Sequence, residues 1–258
     1  MGFFDKVFKK KICDVCGEEI GLLGNRKLED GNLCKDCAKK LSPWFSERRE
    51  STVEEIKAQL DYRKANEAEV ARFHVTRSIG RNGMILLDED QGKLIATCSR
   101  DWREENPDVL RVSDVTGFDF TVDRDRDEMT FRNEEGEEES YSPPRYRHEF
   151  DFYETLRVNH PYFDTIRLRL NRSRVEIIEI REKGRFARPF DPERCSEYQE
   201  YVAISREMEQ AITSAKAAEP PQQEAPAPAA AEEKVVCPWC GALTSKATGQ
   251  CEVCTGTL

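Results

Sequence analysis

The apolar positions between residues 83 and 180 fall into short runs, and in several of these runs they alternate with polar positions. Phe118, Phe120 and Val122 are one example. Because successive side chains of a strand point to opposite faces, this period of two predicts strands with one buried and one wet face. Residues 75–214 are therefore predicted to form a β-rich barrel or sandwich from the runs MILLD, KLIATC, VTGFDFTVD, EMTFRN, EFDFYETLRV, DTIRLRL and RVEIIEI.

A helical pattern precedes the β region. Ile56 and Leu60 lie four residues apart, and Ser51 with Glu54 matches a capping box, in which each residue bonds the backbone of the other. A connecting helix over 51–74 is the prediction.

A second helical pattern follows the β region and begins at Pro192. Its periodic positions are Cys195, Tyr198, Val202, Ser205, Met208 and Ile212. This helix is expected to close the β domain. Residues 215–234 are rich in Ala, Pro and Glu and have almost nothing to bury, which predicts a disordered linker before a terminal module at 235–258.

Residues 1–11, MGFFDKVFKKK, form a short basic amphipathic segment. One interpretation is contact with an anionic membrane surface, and the other is that its aromatic side chains cover the module that follows. Both interpretations stay open. The apolar face consists of Phe3, Phe4, Val7 and Phe8.

The net charge and the hydropathy of the sequence disfavour nucleic-acid binding and a membrane-spanning protein. The 258 residues carry a formal net charge of -10, which repels a phosphate backbone unless positive charge is locally concentrated. We find neither an apolar run of the length that spans a bilayer nor the apolar region of a signal peptide. A cytoplasmic location, with a peripheral position at the inner membrane face as an option, is the expectation.

Eight of the ten cysteines form four CxxC pairs. The first two pairs, Cys13/Cys16 and Cys34/Cys37, are separated by seventeen residues, a spacing typical of zinc sites. Asp30-Gly31 is a plausible hairpin turn between the pairs, and the second pair opens a helical stretch. This order predicts a treble-clef-like zinc module over 12–50. Four thiolates would complete the zinc shell, so the site is expected to be structural.

The other two pairs, Cys237/Cys240 and Cys251/Cys254, predict a compact zinc ribbon and a second structural zinc ion. Read alone, CPWC also resembles a glutaredoxin-type redox pair, but only eighteen residues follow Cys240, too few for the helix that such a fold needs. Trp239 is a candidate partner-binding residue.

No pattern in the sequence indicates catalysis. The three histidines, His74, His148 and His160, occur in no metal-ligand spacing, and phosphate-binding and nucleophile motifs are missing. The remaining cysteines, Cys98 and Cys195, lie in apolar patterns and are expected to be buried and inert. We expect no enzymatic activity.

The stretch CDVCG…GLLGNRKLEDGNLCKDCAKKL and the following STVEEIKAQL resemble a bacterial family, the domain of unknown function 4428. The resemblance covers 12–73 and implies a bacterial cytosolic protein with Cys13, Cys16, Cys34 and Cys37 as metal ligands, but no activity. The β region with its closing helix resembles a pleckstrin-homology (PH) type barrel, a fold that binds lipids or peptides. MGFFDKVF is similar to the N-terminal amphipathic segments of bacterial membrane-stress proteins.

The sequence thus predicts an α+β multidomain protein that acts as a non-enzymatic zinc-binding adaptor for protein partners. The alternative is a nucleic-acid-binding ribbon protein in transcription or RNA handling. Residues 1–49 hold eleven Lys and Arg against eight Asp and Glu, and a four-thiolate zinc centre would remove about two positive charges more. Nucleic acid is therefore the weaker prediction. Partner identity and oligomeric state stay unassigned.

Overall fold

A computed structural model describes residues 11–181 and 190–218, together with positions 234–236, 239, 243–245, 250, 253, 254 and 257. Helices and strands are mixed over these residues, as predicted. The chain divides into two compact units, Met1–Ala218 and Glu219–Leu258. Most of the predicted linker lies outside the described residues, as does the predicted apolar face of Phe3, Phe4, Val7 and Phe8.

The described part of the first unit begins with two small hairpins and a short helix. The hairpins pair antiparallel, β1 with β2 and β3 with β4, and Leu28 N donates to Gly31 O at 2.9 Å across the predicted Asp30-Gly31 turn. The bounds are β1 Lys11–Ile12, β2 Glu19–Ile20, β3 Arg26–Lys27, β4 Asn32–Leu33 and α1 Lys35–Lys39. Strands this short bury little surface of their own.

Helix α2 spans Val53–Arg72. Thr52 forms its capping box with Glu55: Glu55 N donates to Thr52 Oγ1 at 3.2 Å and Thr52 N donates to Glu55 Oε2 at 2.8 Å. The predicted box of Ser51 and Glu54 is therefore wrong by one residue. Ser51 is occupied elsewhere, because its hydroxyl donates to Glu47 O at 2.8 Å.

A four-stranded antiparallel sheet follows, in the order β5-β6-β7-β8. Both of its faces are covered, one by the main core and the other by Val70, Phe73 and Trp102. This explains the nearly unbroken apolar runs in its central strands. The bounds are β5 Arg77–Ile79, β6 Met84–Asp88, β7 Lys93–Thr97, α3 Trp102–Glu105 and β8 Val109–Arg111.

A second four-stranded sheet is built around the long strand β12. This strand pairs with β9 on one side and with β13 and β14 on the other, all antiparallel. The acidic segment 133–137 forms the tip of the small hairpin of β10 and β11. The bounds are β9 Val115–Glu128, β10 Thr130–Arg132, β11 Glu138–Ser140, β12 Arg145–His160, β13 Phe163–Arg169 and β14 Val175–Ile180.

Helix α4, Ser196–Ala218, covers the core that the two sheets share. It is preceded by a 3-10 turn, Pro192–Arg194. Met208, Ala211 and Ile212 are buried in that core. The helix continues four residues beyond 214, where the sequence predicts the linker to begin.

The sequence leaves a barrel or a sandwich open, and the closed barrel is wrong for the described part of the chain, because no strand of the second sheet pairs with a strand of the first. The length of β9 and β12 supplies the physical reason. From Asp123 to Glu128 the side chains of β9 are exposed, and along this stretch β12 pairs with β14 and not with a strand of the first sheet. The strands form two open sheets around one core.

Buried polar contacts join the N-terminal segment to the first sheet. Arg63 of α2 forms an ion pair with Asp108 at 2.7 Å, and both side chains are almost fully buried. Arg63 Nε also donates to Lys40 O at 3.2 Å, and Ser42 Oγ donates to Asp108 Oδ2 at 2.7 Å. The predicted boundaries at 50/51 and 74/75 therefore lie inside one compact unit.

The second unit is described only at its strands and a few single positions. Strands β15, Lys234–Val236, and β16, Leu243–Ser245, pair antiparallel, and Gln250 bridges to Thr257. None of the helices in the described residues is long and apolar enough to cross a bilayer.

Candidate metal centre

The first CxxC pair lies on a tight turn after β1. Gly17 N donates to Cys13 O at 2.8 Å, and Cys13 N donates to Glu18 O at 2.9 Å. Gly17 has φ = +77°, a left-handed conformation that only glycine adopts without strain from a Cβ. The glycine that follows the CxxC motif therefore lets the turn close and directs both thiols to one side.

The second CxxC pair lies at the start of α1. Cys34 is the N-cap residue, and its Sγ accepts a hydrogen bond from Cys37 N at 3.3 Å. Cys37 occupies the first turn of the helix, so the two thiols share one face. Hairpin and helix start thus follow the order that the sequence predicts.

Asp14 holds the two halves of the site together. Its backbone N donates to Asn32 O at 2.9 Å, and its Oδ2 accepts from Asn32 N at 2.6 Å. Cys34 N also donates to Cys13 Sγ at 3.3 Å. No local pattern in the sequence marks Asp14, because its partner Asn32 is eighteen positions away.

The four sulfur atoms form a compact cluster. All four Sγ atoms lie within 4.8 Å of one another, and Cys16 Sγ is 3.8 Å from Cys34 Sγ. With Zn–S bonds of about 2.3 Å, the edges of a tetrahedral Zn(Cys)4 site are about 3.8 Å long. The four thiols are free of disulfides. Donor type, number and spacing fit a tetrahedral zinc ion, as predicted.

Burial and hydrogen bonding differ among the four thiols. Cys13 and Cys37 are buried, whereas Cys16 is exposed. Burial opposes ionisation of Cys13, but the N–H groups of Cys16, Cys34 and Val15 outweigh it and lower its pKa to about 6. Burial and the neighbouring thiols raise the pKa of Cys37. A divalent metal would therefore meet one readily ionised thiol and would have to displace protons from others.

A small apolar core lies beneath the thiol cluster. Leu28 and Leu33 of the second hairpin are fully buried there, and Ile56 of α2 packs against the same cluster. The metal site and α2 therefore share one core, although the sequence predicts two separate elements.

These features define a four-cysteine module of the kind that binds a structural metal ion. Residues 11–59 match the model of a family described as a domain of unknown function, DUF4428, and the match includes all four cysteines of the cluster. The resemblance inferred from the sequence is thereby confirmed for this segment. Comparisons with curated proteins and with solved structures found no match.

The second predicted zinc site stays a prediction. Cys237, Cys240 and Cys251 lie outside the described residues, and Cys254 is exposed. Trp239 is 77% exposed and its Nε1 donates to Thr257 O at 3.1 Å. The exposed indole is compatible with the predicted partner contact without testing it.

Among the described residues, no histidine belongs to a group that could hold a metal ion. His148 is buried, its Nε2 lies 2.9 Å from Glu179 Oε2, and its Nδ1 accepts from Arg124 Nε at 3.2 Å. Burial lowers the pKa of His148. His160 stacks on Phe163 with ring centroids 4.1 Å apart. The roles of these two histidines are thus explained by packing and hydrogen bonding.

The prediction that both lone cysteines are buried is wrong. Cys98 is exposed because it lies beyond the last residue of β7, outside the stretch that is covered on both faces, and Cys195 is half-buried directly before α4. Partial desolvation and nearby acidic groups raise the pKa of both thiols. Neither cysteine has the lowered pKa of an activated nucleophile.

Proposed function

We propose that this protein is a non-enzymatic zinc-binding adaptor built on a treble-clef-like module. The observation that carries the proposal is the closed set of four thiols around one point. Four protein ligands fill the coordination shell of zinc, so a substrate or an activated water would have no position on the metal. Such a site stabilises a fold and does not supply catalysis.

The division into two units supports the adaptor role. The first unit, Met1–Ala218, combines the cysteine cluster with the two sheets, and the second, Glu219–Leu258, carries the remaining CxxC pairs. A protein that connects partners needs two binding surfaces, and two units joined by a Pro- and Ala-rich segment would supply them. The proposal also includes a PH-like ligand-binding role for the two sheets and a zinc ribbon in the second unit. It places the protein in the cytoplasm.

Metal analysis tests the zinc site. Purified, reduced protein is expected to contain two zinc equivalents, one for each set of CxxC pairs. Cys16→Ser should remove one equivalent and lower the thermal stability of the first unit, because the metal supplies much of the folding free energy of such modules. Cys98→Ser is the matched control, since it also removes an exposed thiol. Equal zinc content in both variants would contradict the assignment.

Partner capture tests the adaptor role. The intact chain and a chain ending at Ala218 are used as baits in extracts of the native host. Proteins retained by the intact chain but lost with the shorter one would bind the second unit. Identical sets of retained proteins would contradict a role for that unit.

A further inference from the structure

The loop between β2 and β3 presents two leucines to solvent. Leu22 is 87% exposed and Leu23 is 93% exposed. The loop is a tight turn flanked by glycines, in which Gly24 N donates to Gly21 O at 2.9 Å. Single exposed apolar residues are common on protein surfaces, but two adjacent, almost fully exposed leucines at a loop tip form a projecting apolar surface.

A basic cavity adjoins this loop. Arg26 connects the two features, because its Nη1 donates to Leu23 O at 3.3 Å. The cavity has a volume of about 800 Å³, and four of its lining residues are cationic and one is acidic. Its lining is Asn25, Arg26, Lys27, Leu28, Glu29, Arg48 and Arg49.

Arg48 has one guanidinium nitrogen for which the described residues supply no acceptor. Its Nη1 is buried and has no hydrogen-bond partner among the described residues. Desolvation and the neighbouring charges of Arg26 and Arg49 lower the pKa of Arg48, and Glu50 opposes them only in part. A buried guanidinium nitrogen without an acceptor is unfavourable, and an anionic group in the cavity would supply that acceptor.

We propose that this loop and cavity form a docking surface for an anionic lipid bilayer. Leu22 and Leu23 insert into the boundary of the acyl chains, and Arg26, Arg48 and Arg49 bind headgroup phosphates. A bilayer presents phosphate directly above an apolar layer, and the protein presents cations directly beside an apolar tip. The tip projects from the surface, which suits insertion into lipid.

The start of the described chain lies at the same edge of the molecule. Lys11 pairs with Ile20, which directly precedes the Gly21–Gly24 turn. The sequence that precedes Lys11, MGFFDKVFKK, contains aromatic and basic residues. The proposed surface therefore consists of residues other than the predicted segment 1–11, but it lies where that segment joins the fold.

Vesicle binding of the full, zinc-loaded chain tests the proposal. We expect co-sedimentation with vesicles of phosphatidylcholine and phosphatidylglycerol, and none with phosphatidylcholine alone. Leu22→Ser/Leu23→Ser and Arg48→Gln/Arg49→Gln should each weaken binding at least about tenfold, because one variant removes insertion and the other removes charge attraction. Unchanged zinc content and circular dichroism would show that both variants are folded.

Two control variants match these changes elsewhere on the surface. Ile178→Ser/Ile180→Ser removes two exposed apolar side chains of β14, and Arg100→Gln/Arg172→Gln removes two exposed positive charges. Neither should alter vesicle binding by more than about twofold, since neither pair lies on the proposed surface.

Several results would overturn the proposal. They are equal binding to neutral vesicles, unchanged binding by the leucine variant, and equal losses in the control variants. Loss of binding only when residues 1–10 are deleted would assign the contact to that segment instead. Binding of RNA that Arg48→Gln/Arg49→Gln abolishes, without vesicle binding, would identify a nucleic-acid surface. Vesicle binding does not depend on the partner capture described above, so the two proposals can fail separately.

Discussion

Asp108 is the centre of the buried contacts that join the cysteine module, α2 and the first sheet. Its Oδ1 accepts from Arg63 Nη1 at 2.7 Å and from Tyr62 Oη at 3.1 Å, and its Oδ2 accepts from Ser42 Oγ at 2.7 Å. The side chains of Arg63 and Asp108 are only 6% and 1% exposed. Asp108→Asn keeps the side-chain volume but removes the charge that balances the guanidinium.

The expected loss follows from burial. Removing one partner of a buried ion pair costs about 3–5 kcal/mol, because the remaining charge stays desolvated without compensation. We therefore expect Asp108→Asn to lower the free energy of unfolding by about 4 kcal/mol, and Arg63→Met to lower it by about 3 kcal/mol. The double variant should lose only about 2 kcal/mol, because no unpaired charge then remains.

Urea unfolding at constant zinc concentration measures these values. Glu207→Ala serves as the control, since it breaks an exposed pair with Arg77 at 3.1 Å whose side chains are 40% and 53% exposed. Such a pair contributes about 0.5 kcal/mol. A loss of less than about 1 kcal/mol for Asp108→Asn, or single losses that simply add in the double variant, would refute the reasoning.

Three further predictions concern other parts of the first unit. Asp14→Ala should weaken zinc affinity about tenfold in chelator competition, because it releases the turn of the first CxxC pair from the second hairpin. Asp36→Ala should leave zinc affinity unchanged. Thr52→Ala should lower the free energy of unfolding in urea by about 1 kcal/mol, because Thr52 caps α2. Glu54→Ala should leave it almost unchanged. Burial raises the pKa of Glu154 to about 7, so its stabilising contribution is present below about pH 4.5 and is lost as pH rises through 7. Glu154→Gln should therefore raise the free energy of unfolding by about 2 kcal/mol at pH 8 and by almost nothing at pH 4; equal effects at both pH values would contradict this.

The cysteine cluster could be predicted because its signals are local. Two CxxC pairs, Gly17 after the first pair and Asp30-Gly31 between them specify a turn, a hairpin and a helix start within a few residues each. The tetrahedral arrangement that zinc prefers then predicts how these pieces combine. The central strands β6 and β7 were predictable for the same reason, since continuous apolar runs between turn residues indicate buried strands.

The capping box shows where local signals become ambiguous. The sequence STVEE contains two overlapping boxes, one from Ser51 to Glu54 and one from Thr52 to Glu55. Both satisfy the same pattern. The structure selects the second, because Ser51 bonds elsewhere: its carbonyl accepts from Glu29 N at 3.0 Å. A tertiary contact more than twenty residues away thus decides where the helix begins.

Long-range features had no signal in the sequence. Arg63 and Asp108 are 45 positions apart, and each looks like an ordinary surface charge in its own segment. The barrel alternative was wrong for a related reason. Strand count and alternation specify which residues form strands, but whether a sheet closes depends on which edges pair, and here β14 pairs with β12 and not with the first sheet.

The cysteine module is fixed to the rest of the unit by two sets of contacts, and this connects the proposed zinc site with the proposed membrane surface. On one side the thiol cluster fixes the turn and the hairpin to each other, and on the other side Ser42 and Lys40 bond to Asp108 and Arg63. The strands of the two hairpins are only two residues long, so strand pairing could not replace the thiol cluster or the contacts with Asp108 and Arg63. Loss of either set of contacts would release the loop that carries Leu22 from the rest of the unit. The same Asp108→Asn variant that lowers stability should therefore also weaken vesicle binding, because insertion requires a fixed orientation of the loop.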